Sequence, residues 1–153
     1  METPSPSQGY TLRKASATDA AMIRRIISEV RINPTGLNWE RFILAVDHAN
    51  SIIGCGQIKP HSDGSFELAS IAVLPEWRGK GVARAIIEHL LEHHPGRLYL
   101  TCRAQLGPLY QKFGFRLVKT ADMPKYFKRV SGLINLLPRL RHQPDQLLVM
   151  KNN

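Results

Sequence analysis

Glu67-Leu68-Ala69-Ser70-Ile71-Ala72-Val73-Leu74-Pro75-Glu76-Trp77-Arg78-Gly79-Lys80-Gly81-Val82-Ala83 is the stretch whose reading decides the fold. Its first half is an apolar run, Phe66 to Leu74, that reads as a strand closed by Pro75. From Gly79 the pattern changes to Val82, Ala83, Ile86, Ile87, Leu90 and Leu91, a helix-period stripe that ends at His93-His94-Pro95-Gly96. A strand that turns sharply into a long helix presents the first-turn amides of that helix, which have no intrahelical partner and sit at the positive end of the dipole. An anion placed there is held without any side chain. Glycine at 79 and 81 keeps a Cβ from pushing phosphate oxygens away from those amides, and Arg78 and Lys80 can add charge-assisted bonds. An isolated Gly-x-Gly is also an ordinary turn. The spacing here is neither the GxGxxG of dinucleotide folds nor the Gly-Lys-Ser/Thr ending of a nucleotide P-loop.

Working outward, three strands with short connections precede the helix. Phe42 to Val46 and Ser51 to Lys59 flank the turn His48-Ala49-Asn50, and His61-Ser62-Asp63-Gly64 leads into Phe66 to Leu74, which suggests an antiparallel meander. Before them, Thr11 to Ala15 reads as a strand. Asp19 then opens a helix whose apolar set is Met22, Ile23, Ile26, Ile27 and Val30, stopped by Asn33-Pro34-Thr35-Gly36, with a helical turn around Trp39. After the long helix come a strand from Arg97 to Cys102, a short helix from Leu106 to Phe113 despite Gly107 and Pro108, and a strand from Phe115 to Val118. Between Met123 and Leu140 the set Tyr126, Phe127, Val130, Leu133, Ile134 and Leu137 again has helical spacing, before a last strand from Gln146 to Met150. Strands alternating with helices from residue 66 onward call for right-handed crossovers on one sheet.

A length of 153 residues suits one domain, taken as residues 10–153 behind a loose Pro/Ser-rich tail, residues 1–9. That tail has neither the apolar stretch of a secretory signal nor the arginines of a transit peptide. The chain is 43% hydrophobic and 22% charged, and no apolar run approaches the ~20 residues of a membrane span. Cys55 and Cys102 give no disulfide framework and no metal-ligand spacing; buried free thiols in a reducing compartment, and so a cytoplasmic location, are expected. A formal charge of +9 favours polyanions, among them nucleic acid, an anionic membrane and a phosphorylated cofactor. The basic residues are spread along the chain and no nucleic-acid-binding signature accompanies them.

Arg78-Gly79-Lys80-Gly81-Val82-Ala83 matches the Gln/Arg-x-x-Gly-x-Gly/Ala motif of the GNAT superfamily of acyl-CoA-dependent N-acyltransferases, and it follows a strand and a Pro-containing turn as it does there. Leu109-Tyr110-Gln111-Lys112-Phe113-Gly114-Phe115 resembles the family's Leu-Tyr-x-x-x-Gly-Phe, in the right order. The resemblance covers about residues 10–120 and 146–150. It implies a mixed central sheet of six to seven strands flanked by helices, of α/β (α+β) type, with the Met123 to Leu140 segment as a helical insert before the last strand. It also implies that Ile71, Ala72 and Val73 line the pantetheine of acetyl-CoA, with backbone groups of Ile71 and Val73 pairing to it. Arg78, Gly79, Lys80, Gly81, Val82 and Ala83 would hold the pyrophosphate, and no metal is required.

Acetyl transfer to an amine by direct attack passes through a tetrahedral intermediate and needs an oxyanion donor, a base and a proton for the departing thiolate. A backbone N–H near Val73 can donate to the oxyanion. Tyr110, with a reference pKa of about 10, is the candidate acid. Glu67 lies six residues before Val73, so alternation puts both side chains on one face; it resembles the glutamate that serves some members as base, through water. Two departures stand out: Arg103 and Leu106 occupy positions where many relatives have Asn and Ala, and Gly107 and Pro108 perturb the helix bearing Tyr110. The basic residues Lys125, Lys128, Arg129, Arg139 and Arg141 either line an acceptor site or form a solvated face, the bland reading being the stronger. The loop with Arg31, Asn33 and Thr35 is a second candidate wall.

The strand from Glu67 to Val73 also resembles the acetyltransferase domains of N-acetylglutamate synthases, which makes an amino acid the expected acceptor. Protein N-termini or lysines, a non-catalytic acyl-CoA-binding regulatory module, and a basic nucleic-acid or membrane-surface binder are the alternatives. Neither a membrane nor a specific nucleic acid is an expected partner, and a homodimer is left open.

Overall fold

The computed structural model describes residues 9–136 and 146–153, and the fold is α/β, a mixed sheet of seven strands with four α-helices among these residues. The strands are β1 (Tyr10–Lys14), β2 (Phe42–Asp47), β3 (Ile52–Pro60), β4 (Phe66–Val73), β5 (Tyr99–Arg103), β6 (Arg116–Leu117) and β7 (Leu147–Lys151). The helices are α1 (Ala20–Glu29), α2 (Val82–Glu92), α3 (Gly107–Gln111) and α4 (Lys125–Asn135). The chain falls into two compact units. The first takes in the described residues up to Lys59 together with Leu68–Pro95; the second takes in Pro60–Glu67 and the described residues from Gly96 on.

In the first unit the strand order is β1-β2-β3-β4. β1 runs antiparallel to β2 from Tyr10↔Asp47 to Lys14↔Ile43, and β2 antiparallel to β3 from Phe42↔Gln57 to Val46↔Ile52. Every residue from Phe42 to Val46 is buried, as a strand covered on both faces requires. Ile23, Ile26 and Ile27 of α1 pack with Phe42, Leu44, Val46 and Cys55 in one cluster. Each such side chain contributes about 1.5–3 kcal/mol by leaving water. Helix α2 lies against β3 because Gly54 and Gly56 leave room: a Cβ on Gly56 would stand 2.6 Å from Ile71 Cδ1 and 2.7 Å from Ile86 Cγ2. Ahead of α1, Ser16 and Asp19 form a capping box, and the Asp19 carboxylate also accepts from Arg13 at 2.8 and 3.0 Å.

In the second unit β7 lies between β5 and β6 and is antiparallel to both, from Tyr99↔Lys151 to Arg103↔Leu147 and at Arg116↔Lys151 and Leu117↔Met150. β5 and β6 therefore share a direction, as the helix between them demands. Glu67, at the start of β4, pairs parallel with Tyr99. The expected helix from Leu106 to Phe113 is shorter: a 3-10 turn, Ala104–Leu106, leads into the five residues of α3. Pro108 falls in the first turn, where its missing N–H removes no helical bond. Gly107 is buried, and a Cβ there would meet Leu148 Cδ1 at 3.2 Å.

Helix α4 packs through Phe127, fully buried with Val118 and Val149 beside partly buried Tyr99, Met123 and Tyr126. Leu133, expected to share that face, is 70% exposed. The reason is angular: at about 100° per residue Leu133 lies roughly 120° round the helix from Phe127, whereas Ile134 lies within about 20° of it. Leu137, Arg139, Leu140 and Arg141 of the expected helix, and residues 1–8 of the expected tail, lie outside the described residues.

Candidate active site

The turn between β4 and α2 is built by two glycines in the left-handed region, Gly79 at φ 74° and Gly81 at φ 81°. Gly81 is the N-cap of α2 and carries no side chain to cap it, so the amides of Val82, Ala83 and Arg84 meet no capping group from that residue. Its carbonyl oxygen accepts from the Ala85 amide at 3.0 Å and from the Tyr10 hydroxyl at 3.2 Å. The buried Tyr10 thus braces the turn from β1 and packs edge-on against Trp77 at 6.4 Å; burial, with a smaller contribution from Glu88, raises its pKa. Lys80 Nζ stands 4.8 Å over the Trp77 ring, and Arg78 and Lys80 are exposed. The result is a cleft of about 130 Å³ that Val73, Trp77, Arg78, Gly79, Gly81 and Val82 help to line.

A diphosphate fits this cradle on three counts. The amides open a helix of 11 residues rather than a single turn, the flanking side chains are cationic, and nothing stands within 4 Å of a Cβ built on Gly79. On Gly81 such a Cβ meets only the Tyr10 hydroxyl, at 3.9 Å. The glycines are therefore required by backbone angle, where an L-residue is strained, rather than by crowding from the protein itself.

Upstream, β4 has a feature that the sequence pattern does not disclose. Ser70 has φ 58°, so the alternation expected to put Glu67 and Val73 on one face is interrupted between them. Ser70 is held in this strained state from β3: its Oγ accepts from Gln57 Nε2 at 2.8 Å, and its carbonyl oxygen accepts from Cys55 Sγ at 3.5 Å. The buried Gln57 also donates to the Gly36 carbonyl oxygen at 3.2 Å, and buried Lys59 donates to that of Thr35 at 2.8 Å. Two buried side chains of β3 thus fix the loop after α1, the candidate acceptor wall that carries Arg31, Asn33 and Thr35. An Asn-Pro-Thr-Gly sequence announces a turn, but a left-handed serine inside an apolar run has no local signature.

Of the remaining residues expected in the site, Ile71, Ala72 and Val73 close β4, with Ala72 buried and the other two half-buried. Glu67 and Tyr110 belong to the second unit. Tyr110 is half-buried on α3, edge-on to Phe115 at 6.2 Å, and among the described residues its hydroxyl has no hydrogen-bond partner. Desolvation, helped by Cys102, pushes its pKa up to about 12. Cys102 and Cys55 are both buried free thiols, pushed by burial to about 11 and about 12.

Glu67 is buried, and its Oε1 accepts from His61 Nε2 at 2.9 Å. The His61 ring stacks on Tyr126 at 3.6 Å and meets Phe127 edge-on at 5.7 Å. Asp63, in the turn before β4, accepts from the Tyr126 amide at 3.0 Å and so caps α4 from outside the helix. Its bonds from Ser65 and then from Tyr126 hold its pKa down at about 2. His61 and Asp63 read in the sequence only as turn residues; their shared partner Tyr126 lies more than 60 positions further on, out of reach of any local pattern.

A family model described as an acetyltransferase (GNAT) domain matches residues 38–117, more than half of the chain. None of the curated proteins matches the sequence. Among solved structures, N-acetylglutamate synthase from Neisseria gonorrhoeae, complexed with coenzyme A and N-acetyl-glutamate, is similar at TM-score 0.69 and 16% identity over 94% of this chain. This chain spans only 34% of that synthase. Rv2747 from Mycobacterium tuberculosis, in complex with CoA, gives TM-score 0.69 and 18% identity over 93% of this chain and 98% of its own. Escherichia coli ElaA gives 0.64 and 17% over 94% and 98%. These identities speak for the fold, and the match of the family model speaks for descent: the chain belongs to the GNAT family of acetyltransferases.

Proposed function

We propose that this chain is an N-acetyltransferase that moves an acetyl group from acetyl-CoA to a primary amine, with a small molecule of the amino-acid class as acceptor. The observation that carries the reading is the opening of α2, where two left-handed glycines leave backbone amides uncapped beside Arg78, Lys80 and a cleft of about 130 Å³. Gly79, Lys80, Gly81, Val82 and Ala83 hold the pyrophosphate, and Ile71, Ala72 and Val73 offer the end of β4 to the pantetheine. Support for an amino-acid acceptor comes from the N-acetylglutamate bound in the gonococcal synthase and from the likeness of the Glu67 to Val73 strand to such enzymes. A cytoplasmic enzyme suits the two buried free thiols.

Bound acetyl-CoA supplies an acyl carbon activated as a thioester; the amine nitrogen forms the new C–N bond, the C–S bond breaks, and one proton moves from nitrogen to sulfur overall. Glu67 takes the proton from the amine, through water. A backbone N–H of the Val73 segment donates to the carbonyl oxygen as charge builds there, a contact worth roughly 3 kcal/mol in other enzymes. Tyr110 serves the sulfur. Burial pushes its pKa up to about 12, so the phenol is protonated at neutral pH and donates to the departing thiolate, which leaves as the thiol.

An acetyl-CoA turnover screen across amino acids, polyamines, aminoglycosides and peptides, read by thiol release and product mass, tests the reading. Turnover with an amino acid is expected. Tight CoA binding with no turnover on any amine would favour the non-catalytic module instead, and absence of CoA binding would end both.

A further inference from the structure

Resting on the reading of Glu67 as the base, we propose that His61 is its positioning residue and that the first turn of α4 is the clamp that holds His61 in place. A glutamate side chain has three rotatable bonds and loses up to about 2 kcal/mol of rotamer freedom on being fixed. Here one bond does the fixing. His61 Nε2 donates to Oε1 at 2.9 Å, with both side chains close to buried at 11% and 8% exposure, while among the described residues Oε2 has no hydrogen-bond partner. One oxygen is thus anchored and the other left to accept a proton.

The anchor is itself over-determined. Tyr126 stacks on the imidazole face at 3.6 Å with planes 16° apart, Phe127 closes its edge, and Tyr99, the register partner of Glu67, stacks on Phe127 at 5.2 Å. Asp63, two residues after His61, joins the same turn to the Tyr126 amide. The insert before β7 is fastened to the carboxyl group through aromatic contacts and one outside cap, so its first turn belongs to the base.

The test is steady-state kinetics on the full chain with the best acceptor from the amine screen, alongside acetyl-CoA affinity by calorimetry. Glu67→Gln should lower kcat at least about 100-fold, the usual worth of a general base. His61→Ala should lower kcat about 10-fold, the worth of one hydrogen bond to a charged group, with acetyl-CoA affinity unchanged. His61→Gln, which restores an N–H donor, should return kcat to within about threefold of the parent, and Tyr126→Ala should lower kcat while leaving acetyl-CoA affinity alone. If alanine at 61 unfolds the chain, His61→Leu against His61→Gln makes the same comparison at similar volume. A kcat for His61→Ala equal to the parent, with Glu67→Gln inactive, overturns the positioning role alone. So does His61→Gln as impaired as alanine. Parental turnover by Glu67→Gln overturns the base assignment beneath it, and turnover on no amine overturns both.

Discussion

Replacing Gly81 with valine tests the cradle most directly. At φ 81° and ψ 8° the residue sits where an L-amino acid costs about 1–2 kcal/mol, and a β-branched one more. In a chain of this length each kcal/mol is worth about 2–4 °C in Tm, so Gly81→Val should melt at least about 4 °C lower. Space is not the cause, since a Cβ there meets only the Tyr10 hydroxyl, at 3.9 Å. The strained residue can relax only by rotating the peptide that leads into Val82, which turns the first helical amides away from the diphosphate. Each charge-assisted bond so lost is worth about 1.5–3 kcal/mol, or roughly 10- to 150-fold in Kd. Asparagine tolerates the left-handed region, so Gly81→Asn should keep most of the stability and still weaken binding by putting a side chain where phosphate oxygens approach. Gly64→Val is the control for strain: φ is 84° there too, in the turn before β4, and no phosphate is assigned to it. Calorimetry with CoA, with far-ultraviolet circular dichroism for the fold, reads all three. Gly81→Val that is folded and binds CoA within twofold of the parent would refute the reasoning.

Other outcomes follow from the same structure. Tyr110→Phe should cut kcat about 10-fold and leave acetyl-CoA affinity unchanged, checked by steady-state rates against calorimetry. Because burial raises the Tyr110 pKa from 10 to about 12, the parent should lose stability as pH climbs from 10 toward 12, whereas Tyr110→Phe has no phenol to ionise at that position; alkaline melts of the two should diverge there, the parent falling further. Gly56→Ala should cost about 1–3 kcal/mol in chemical denaturation, because its Cβ would stand 2.6 Å from Ile71 Cδ1 and 2.7 Å from Ile86 Cγ2 and force both side chains to shift. Asp63→Ala should speed hydrogen exchange at the Tyr126 amide. In the parent that protection should be present above the usual carboxylate range and lost as pH falls from about 4 toward 2, the sign expected of a depressed carboxyl pKa.

The local structure of residues 66–92 is legible in the amino-acid order alone: an apolar strand, a proline turn, two glycines and a 3.6-period stripe admit few arrangements, and β4, the turn after it and α2 stand where that pattern puts them. Helices α1 and α4 announce themselves in the same way, because burial on one face is written in the spacing of neighbours along the chain. Tertiary structure decides what neighbours cannot encode. Ser70 adopts a left-handed φ because Gln57 and Cys55 of another strand hold it, and Glu67 meets His61 because a turn folds back upon it. Tyr126 and Asp63, far apart in sequence, pair within the second unit, next to the buried Phe127. Periodicity records which side of an element faces inward; which groups meet there is fixed by contacts that form only once the chain has borne the entropy cost of bringing distant segments together.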